Sequence, residues 1–191
     1  MTGAVLAGGK SLRFGKNKAL EVVGGMRLVE RSVQSLRPFC DHVMIVVNDL
    51  SLYLELGVPL VRDIIPHQGP LGGLYTALLF SEYEWVFVKA TDMPLIVPQV
   101  AELIIGARQG FDVVVPMIGD FFEPLFALYN RRCLPVIARQ LETPGERQII
   151  HFYKKVRVKS IREEEWRRLD PEGACFRNIN TPADLSEVGW T

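Results

Sequence analysis

Near the start of the chain a short apolar run, Ala4-Val5-Leu6-Ala7, leads into Gly8-Gly9 and then into a stretch carrying Lys10, Arg13, Gly15, Lys16 and Lys18. Paired glycines let backbone N–H groups come close to anionic oxygens, and fixed cations complete such a shell. The combination suits the holding of phosphates; the plainer alternative is a glycine-rich strand-to-helix turn whose lysines point to water. Two familiar phosphate loops are excluded. Gly9 and Gly15 have five residues between them and Gly15-Lys16 is followed by Asn17, which breaks the GxxxxGK[ST] pattern, and the loop is not GxGxxG.

An acid, Asp92, follows the apolar run Trp85-Val86-Phe87-Val88 and precedes Met93-Pro94. This puts a carboxylate at the carboxyl end of a buried strand, where ligands of open α/β sheets bind. Magnesium takes hard oxygen ligands, often one or two carboxylates plus substrate phosphates, so Asp92 fits as a metal ligand beside the glycine loop. It also fits as the cap of a helix beginning near Leu95. Gly69-Pro70-Leu71-Gly72-Gly73 reads either as a turn before a helix or as side-chain-free backbone against which a purine lies flat. Further along, Arg147 follows the Thr143-Pro144-Gly145 break and suits either a bidentate phosphate contact or a surface ion pair. Asn178 and Asn180 alternate as at a strand end, able to donate and accept toward a polar heterocycle or to form a turn. His42, His67 and His151 share no metal-ligand spacing. Cys40, Cys133 and Cys175 make neither a CxxC pair nor an even disulfide framework, and are expected as small buried hydrophobes. No Ser/His/Asp or Cys/His constellation for nucleophilic catalysis stands out.

Short apolar runs alternate with segments of helical period, the pattern of an α/β fold with a largely parallel sheet. Strands are expected at Ala4–Ala7, Val43–Val47, Trp85–Ala90 and Asp112–Val115. Helical stripes interleave with them: Val29, Val33, Leu36; Leu71, Leu74, Leu78; and Val97, Val100, Ile104. Beyond Val115 the pattern loosens, with a strand at Phe122–Tyr129, helices at Arg131–Leu141 and Glu146–Lys154, and an alternating strand at Val156–Ile161. Glu163–Arg168 reads as a solvated helix face with Trp166 turned inward, and Thr181-Pro182-Ala183-Asp184 as a helix start. No linker, repeat or low-complexity stretch divides the chain, so residues 1–191 are taken as one domain.

Its 191 residues, 48% hydrophobic and 23% charged, suffice for one well-cored globular unit. A formal net charge of zero gives no footprint for nucleic acid or an anionic membrane, which leaves a small molecule as the expected partner. The first residues lack a basic region and an apolar stretch of signal-peptide length, and no run approaches a bilayer span. A cytoplasmic location is expected.

Leu6-Ala7-Gly8-Gly9-Lys10-Ser11-Leu12-Arg13-Phe14-Gly15, followed by Lys18, resembles the LAGGxxxRxG…K signature of sugar-phosphate-type nucleotidyltransferases. More closely, the chain is similar to the molybdenum cofactor guanylyltransferase family, MobA. Val47-Asn48-Asp49, Asp63, Gly69-Pro70-Leu71-Gly72-Gly73, Thr91-Asp92-Met93-Pro94, Pro144-Gly145-Glu146-Arg147 and Asn178-Ile179-Asn180-Thr181-Pro182 occur in that family's order and approximate spacing, covering nearly the full length. The resemblance implies a three-layer, Rossmann-like nucleotidyltransferase fold with a mostly parallel central sheet. It implies transfer of GMP from GTP to the terminal phosphate of molybdopterin or its molybdenum form, with release of pyrophosphate and a Mg²⁺ cofactor. Leu6, Ala7, Gly8 and Gly9 would hold the nucleotide, Lys18 its phosphates, Asn48 and Asp63 the nucleoside, and Gly69, Pro70, Leu71 and Gly72 the guanine. Asp92 would bind metal and nucleotide, with Lys18, Lys10 and Arg13 offsetting charge in the reaction. Arg147, Asn178 and Asn180 would receive the acceptor in the C-terminal half. Transient contacts with cofactor-biosynthesis or acceptor enzymes fit this picture, and neither nucleic acid nor membrane does. Related readings are a nucleotidyltransferase using another triphosphate or phosphorylated acceptor, and a nucleotide-binding module without turnover. One departure stands out: family members often carry histidine where this chain has Glu123 before Pro124, so the role of Glu123 is open.

Overall fold

The computed structural model describes residues 1–8, 17–143, 145–179 and 184. In chain order its strands and helices are β1 (Thr2–Leu6), β2 (Val22–Val23), β3 (Met26–Arg27), α1 (Leu28–Leu36), β4 (His42–Val47), β5 (Leu60–Arg62), α2 (Pro70–Phe80), β6 (Trp85–Ala90), α3 (Pro98–Gly106), β7 (Val113–Ile118), β8 (Phe121–Phe122), β9 (Phe126–Asn130), α4 (Leu134–Leu141), β10 (Val158–Ile161) and α5 (Glu163–Arg167). The main sheet runs β10-β7-β9-β6-β1-β4-β5, with β8 appended to β7, while β2 and β3 form a small separate ribbon.

β1 lies between β4 and β6 and is parallel to both, and β5 and β10 are likewise parallel to their neighbours. β9 alone among the long strands runs antiparallel, against β6 on one side and β7 on the other. Residue parity explains the three layers. Val5, Ile45 and Phe87 face one side, where they pack with Val29, Val33 and Leu36 of α1 and Val100 and Ile104 of α3. Ala4, Met44, Val86 and Val88 face the other, against Leu71, Leu74 and Leu78 of α2 and Ile137 of α4. Both faces are covered, which is why the central strands read as nearly continuous apolar runs.

The expected helical stripes occupy α1, α2 and α3, save that Val97 is the extended N-cap of α3 and not part of it, and Trp166 is turned inward at 1% exposure with its indole N–H donating to the Met117 carbonyl at 2.8 Å. All three cysteines are buried and free. Several expectations need correction. Phe122–Tyr129 is not one strand, because the chain breaks at Glu123–Leu125 between β8 and β9. The helix expected over Glu146–Lys154 is a 3-10 turn sequence at Ile149–Lys155. β5 was not expected at all. The helix start at Thr181–Pro182 lies outside the described residues.

From β1 the chain crosses through α1 to β4 and then β5 on one side, and returns through α2 to β6 on the other side of β1. The order of connection thus reverses between β1 and β6, and ligands of open α/β sheets bind beyond the carboxyl ends of the strands at such a switch point.

Candidate functional site

Leu6 ends β1 and pairs with Ala90 at the end of β6, so Ala7-Gly8 and Thr91-Asp92 leave the sheet side by side. Thr91 donates its N–H to the Leu6 carbonyl at 3.4 Å. The Lys18 ammonium stands 3.8 Å from Asp92 Oδ2, with the lysine side chain 13% and the aspartate 37% exposed. Burial lowers the Lys18 pKa, while Asp92 first and then Asp184 and Glu21 act to keep the amine protonated. A half-desolvated cation held by flanking acids suits an incoming polyphosphate, which could take over the neutralising role.

Lys18 sits in a short 3-10 turn capped by Asn17, whose side-chain oxygen accepts from the Ala19 N–H. The amide of Asn17 donates to the Tyr53 hydroxyl at 2.8 Å, and that hydroxyl donates to the Ala7 carbonyl at 3.2 Å. Tyr53, only 2% exposed, thus ties the turn carrying Lys18 to the start of the glycine loop. Sequence reasoning passed over this tyrosine, since nothing local marks an aromatic in a loop as a tether.

Asn48 and Asp63 follow the carboxyl ends of β4 and β5 and line the same edge. The Asn48 amide donates to the Gly8 carbonyl at 2.7 Å, leaving its oxygen as the group able to face a ligand. Asp63 Oδ1 accepts from the Thr76 hydroxyl at 2.9 Å and the Ile65 N–H at 3.0 Å, which fastens the 63–65 turn to α2. Gly69 (φ 64°) precedes α2, whose first turn lacks a side-chain cap. A Cβ on Gly72 would lie 2.7 Å from the Ile65 carbonyl oxygen, so this glycine is required by the protein's own packing whatever else it faces. Pro70 and Leu71 open α2, with Leu71 fully buried.

Asp92 caps no helix, since α3 starts at Pro98 with Val97 as its N-cap. Its backbone carbonyl accepts from the Ile179 N–H at 2.7 Å, which brings the Asn178-Ile179 segment alongside. Asn178 is exposed there. Glu123 Oε1 accepts from the Leu125 N–H at 3.1 Å, and burial, with a further contribution from the charge of Asp92, raises its carboxyl pKa. Arg147 donates to the His67 carbonyl at 3.4 Å, within the loop that leads to α2, so it stands against the segment expected to meet the base. Gly9, Lys10, Arg13 and Asn180 lie outside the described residues. Among the described residues no cluster of three or more His, Cys, Asp or Glu could hold a metal. A cation sited here would take Asp92 as its protein ligand and draw its other oxygens from substrate and water, a set that suits magnesium.

A family model for the MobA-like NTP transferase domain matches residues 3–158. The chain belongs to this family. It is 38% identical over 190 residues to a molybdenum cofactor guanylyltransferase of Desulfosudis oleivorans, covering 98% of this chain and 94% of that protein. A probable molybdenum cofactor guanylyltransferase of Carboxydothermus hydrogenoformans is 36% identical over 188 residues, covering 98% and 94%. Among solved structures, molybdopterin-guanine dinucleotide biosynthesis protein A of Archaeoglobus fulgidus superposes with a TM-score of 0.82 at 30% identity, covering 98% and 96%. The mostly parallel sheet between helix layers is thus the fold of this family, as the resemblance implied.

Proposed function

We propose that this chain transfers GMP from GTP to the terminal phosphate of molybdopterin or its molybdenum form, releasing pyrophosphate. The observation that carries the reading is the Lys18–Asp92 pair, 3.8 Å apart beyond the carboxyl ends of β1 and β6, in a chain whose near-full-length relatives bear guanylyltransferase names. In this reading the N-terminal half holds the nucleotide and the C-terminal half the acceptor. The triphosphate lies along Leu6-Ala7-Gly8 with Lys18 against its phosphates. Asn48 and Asp63 border the nucleoside, and Gly69–Gly72 at the start of α2 borders the base, with Lys10 and Arg13 adding positive charge.

The attacking group is a phosphate monoester, largely dianionic near neutrality because its second pKa is about 6. No general base is needed. What the protein must supply is in-line placement of two anions and compensation of their repulsion. Lys18 does the second, kept cationic against burial by Asp92 and Asp184. Asp92 is the residue that would hold Mg²⁺, which when bound supplies charge neutralisation across the reacting phosphates. Asn178 precedes Ile179, whose N–H bonds the Asp92 backbone, so an acceptor recognised by the Asn178 amide would approach the nucleotide from the Asp92 side, and Asn180 is assigned to the same acceptor. Arg147 is placed to reinforce the loop before α2, and this bond to His67 links the two halves.

Among the described residues no helix is long and apolar enough to cross a membrane, and the proposed partners are small molecules in the cytoplasm. Comparing pyrophosphate release from GTP, CTP, ATP and UTP with purified molybdopterin tests the proposal. Preference for GTP supports it. Preference for CTP moves the chain to a cytidylyl-transferring activity, and tight GTP binding without release makes it a nucleotide-binding module.

A further inference from the structure

Lys89 has no place in the mechanism above, yet it occupies the least hospitable position in the fold for an amine. It lies on β6 in register with Val5 of β1 and on the same face as Phe87, so strand parity sends it into the apolar layer beneath α1 and α3. Its exposure is 0%. Its side-chain nitrogen donates to Ser35 Oγ of α1 at 2.6 Å and to the Pro94 carbonyl at 2.8 Å. Ser35 donates its own hydroxyl proton to the Ser32 carbonyl at 2.8 Å, so toward the lysine it acts as acceptor. Among the described residues the ionisable neighbour of the amine is Cys175, whose thiol burial pushes up to about 12, and no carboxylate compensates it. An amine so placed is costly to bury, and an unbranched apolar side chain of similar length would fill the space without that penalty.

What the lysine provides is a partner for the carbonyl of Pro94, a buried residue at the end of the loop that carries Asp92. β6 ends its ladder at Ala90, whose N–H bonds the Leu125 carbonyl. Beyond it the loop is fastened at three backbone points: Thr91 to Leu6, Asp92 to Ile179, and Pro94 to Lys89. The Thr91 bond is long at 3.4 Å. Lys89 therefore closes the far side of the loop onto β6, and its second bond, to Ser35, occupies the remaining donor without touching the loop.

We propose that Lys89 is a positioning residue for Asp92: by holding the Pro94 carbonyl against β6 it fixes the path of Thr91–Pro94, so that the Asp92 carboxylate stands before Lys18. Substrate is never touched by this side chain. The turnover part of the inference rests on the proposed guanylyl transfer; the loop-fixing part does not.

Lys89→Met keeps the stem and removes the donor, whereas Ser35→Ala keeps the bond to Pro94 and removes the other partner. Amide hydrogen exchange and steady-state kinetics are compared for both variants and the wild type. In Lys89→Met the Ile179 and Thr91 amides should exchange about tenfold faster while those of Val5 and Ile45 hold, the signature of local opening. Turnover with GTP, molybdopterin and Mg²⁺ should fall roughly tenfold or more with the KM for GTP within about twofold, as expected for misplacement of a group at the reacting centre. Ser35→Ala should match wild type in both. Unchanged exchange at Ile179 in Lys89→Met overturns the inference, as does uniform acceleration with a lowered Tm, or an equal effect of Ser35→Ala. Should Lys89→Met fail to fold, Lys89→Leu, which likewise has no donor, takes its place; failure of both makes Lys89 a structural residue and also overturns it. If the wild type transfers no guanylyl group, the proposed function fails, and the exchange measurement decides the positioning role alone.

Discussion

Tyr53→Phe isolates one interaction between fold and site. The change removes a hydroxyl and keeps the ring, which is 2% exposed, so no cavity opens in the core. Lost are the donation to the Ala7 carbonyl at 3.2 Å and the acceptance from Asn17 at 2.8 Å. A net contribution of about 0.5–1.5 kcal/mol per hydrogen bond gives an expected destabilisation of roughly 1–3 kcal/mol, read from urea unfolding. A purely structural tyrosine would show nothing more. Here the same bonds fasten the glycine loop to the turn carrying Lys18, so the loosened segments must be reordered when triphosphate binds. If about half of the loss recurs in that step, the Kd for GTP should rise about two- to twelvefold, since 1.4 kcal/mol is a factor of ten. Calorimetric titration at a temperature where the variant is fully folded measures it. A destabilised variant with wild-type GTP affinity would refute the tether and leave Tyr53 as a core residue only.

Three further outcomes follow from the geometry. Lys18→Ala should weaken GTP binding and slow turnover, each by up to about 1.5–3 kcal/mol for a lost charged hydrogen bond, in binding and rate measurements; unchanged values would remove Lys18 from the phosphates. Gly72→Ala places a Cβ 2.7 Å from the Ile65 carbonyl oxygen, so thermal unfolding should show a loss of roughly 1–3 kcal/mol from overpacking even without nucleotide; a neutral effect would mean that the 63–65 turn yields freely. Glu123→Gln should raise Tm near neutral pH and lose that advantage in acid. The Glu123 pKa is raised by burial and by Asp92, so the folded state holds the proton more tightly than the unfolded chain and stability falls as pH climbs above the ordinary carboxylate range. A Tm difference between variant and wild type that does not grow across that range would contradict this.

How far the sequence announces this protein depends on how local each signal is. β1, β4 and β6 are legible because burial on both faces demands unbroken apolar runs. β5 is not, because Leu60-Val61-Arg62 is a three-residue edge strand after Pro59, too short to show periodicity. The reversed direction of β9 leaves no local trace either, since its five residues are as buried as those of a parallel strand. In the site, Gly8 and Asp92 were recognisable from the strand ends they follow, whereas their adjacency is set by the pairing of Leu6 with Ala90. The sequence places Arg147 with the acceptor, and its bond to the loop before α2 depends on how α4 packs against α2. Tyr53 and Lys89 act through partners distant in sequence. A lysine inside Trp85–Ala90 breaks an apolar pattern, which was the available hint for the second of them.

The central claim is that GMP moves from GTP to a phosphorylated pterin at the Lys18–Asp92 pair. Its most direct test is to incubate the protein with Mg²⁺, molybdopterin and GTP labelled at the α-phosphate, resolve the products, and repeat the measurement with Asp92→Ala. Labelled guanine dinucleotide with pyrophosphate in equal amount is the expected result, with a loss on the order of 10²-fold or more in the variant. Label left in GTP or appearing as free GMP in the wild-type reaction, or dinucleotide formed by Asp92→Ala at the wild-type rate, would contradict it.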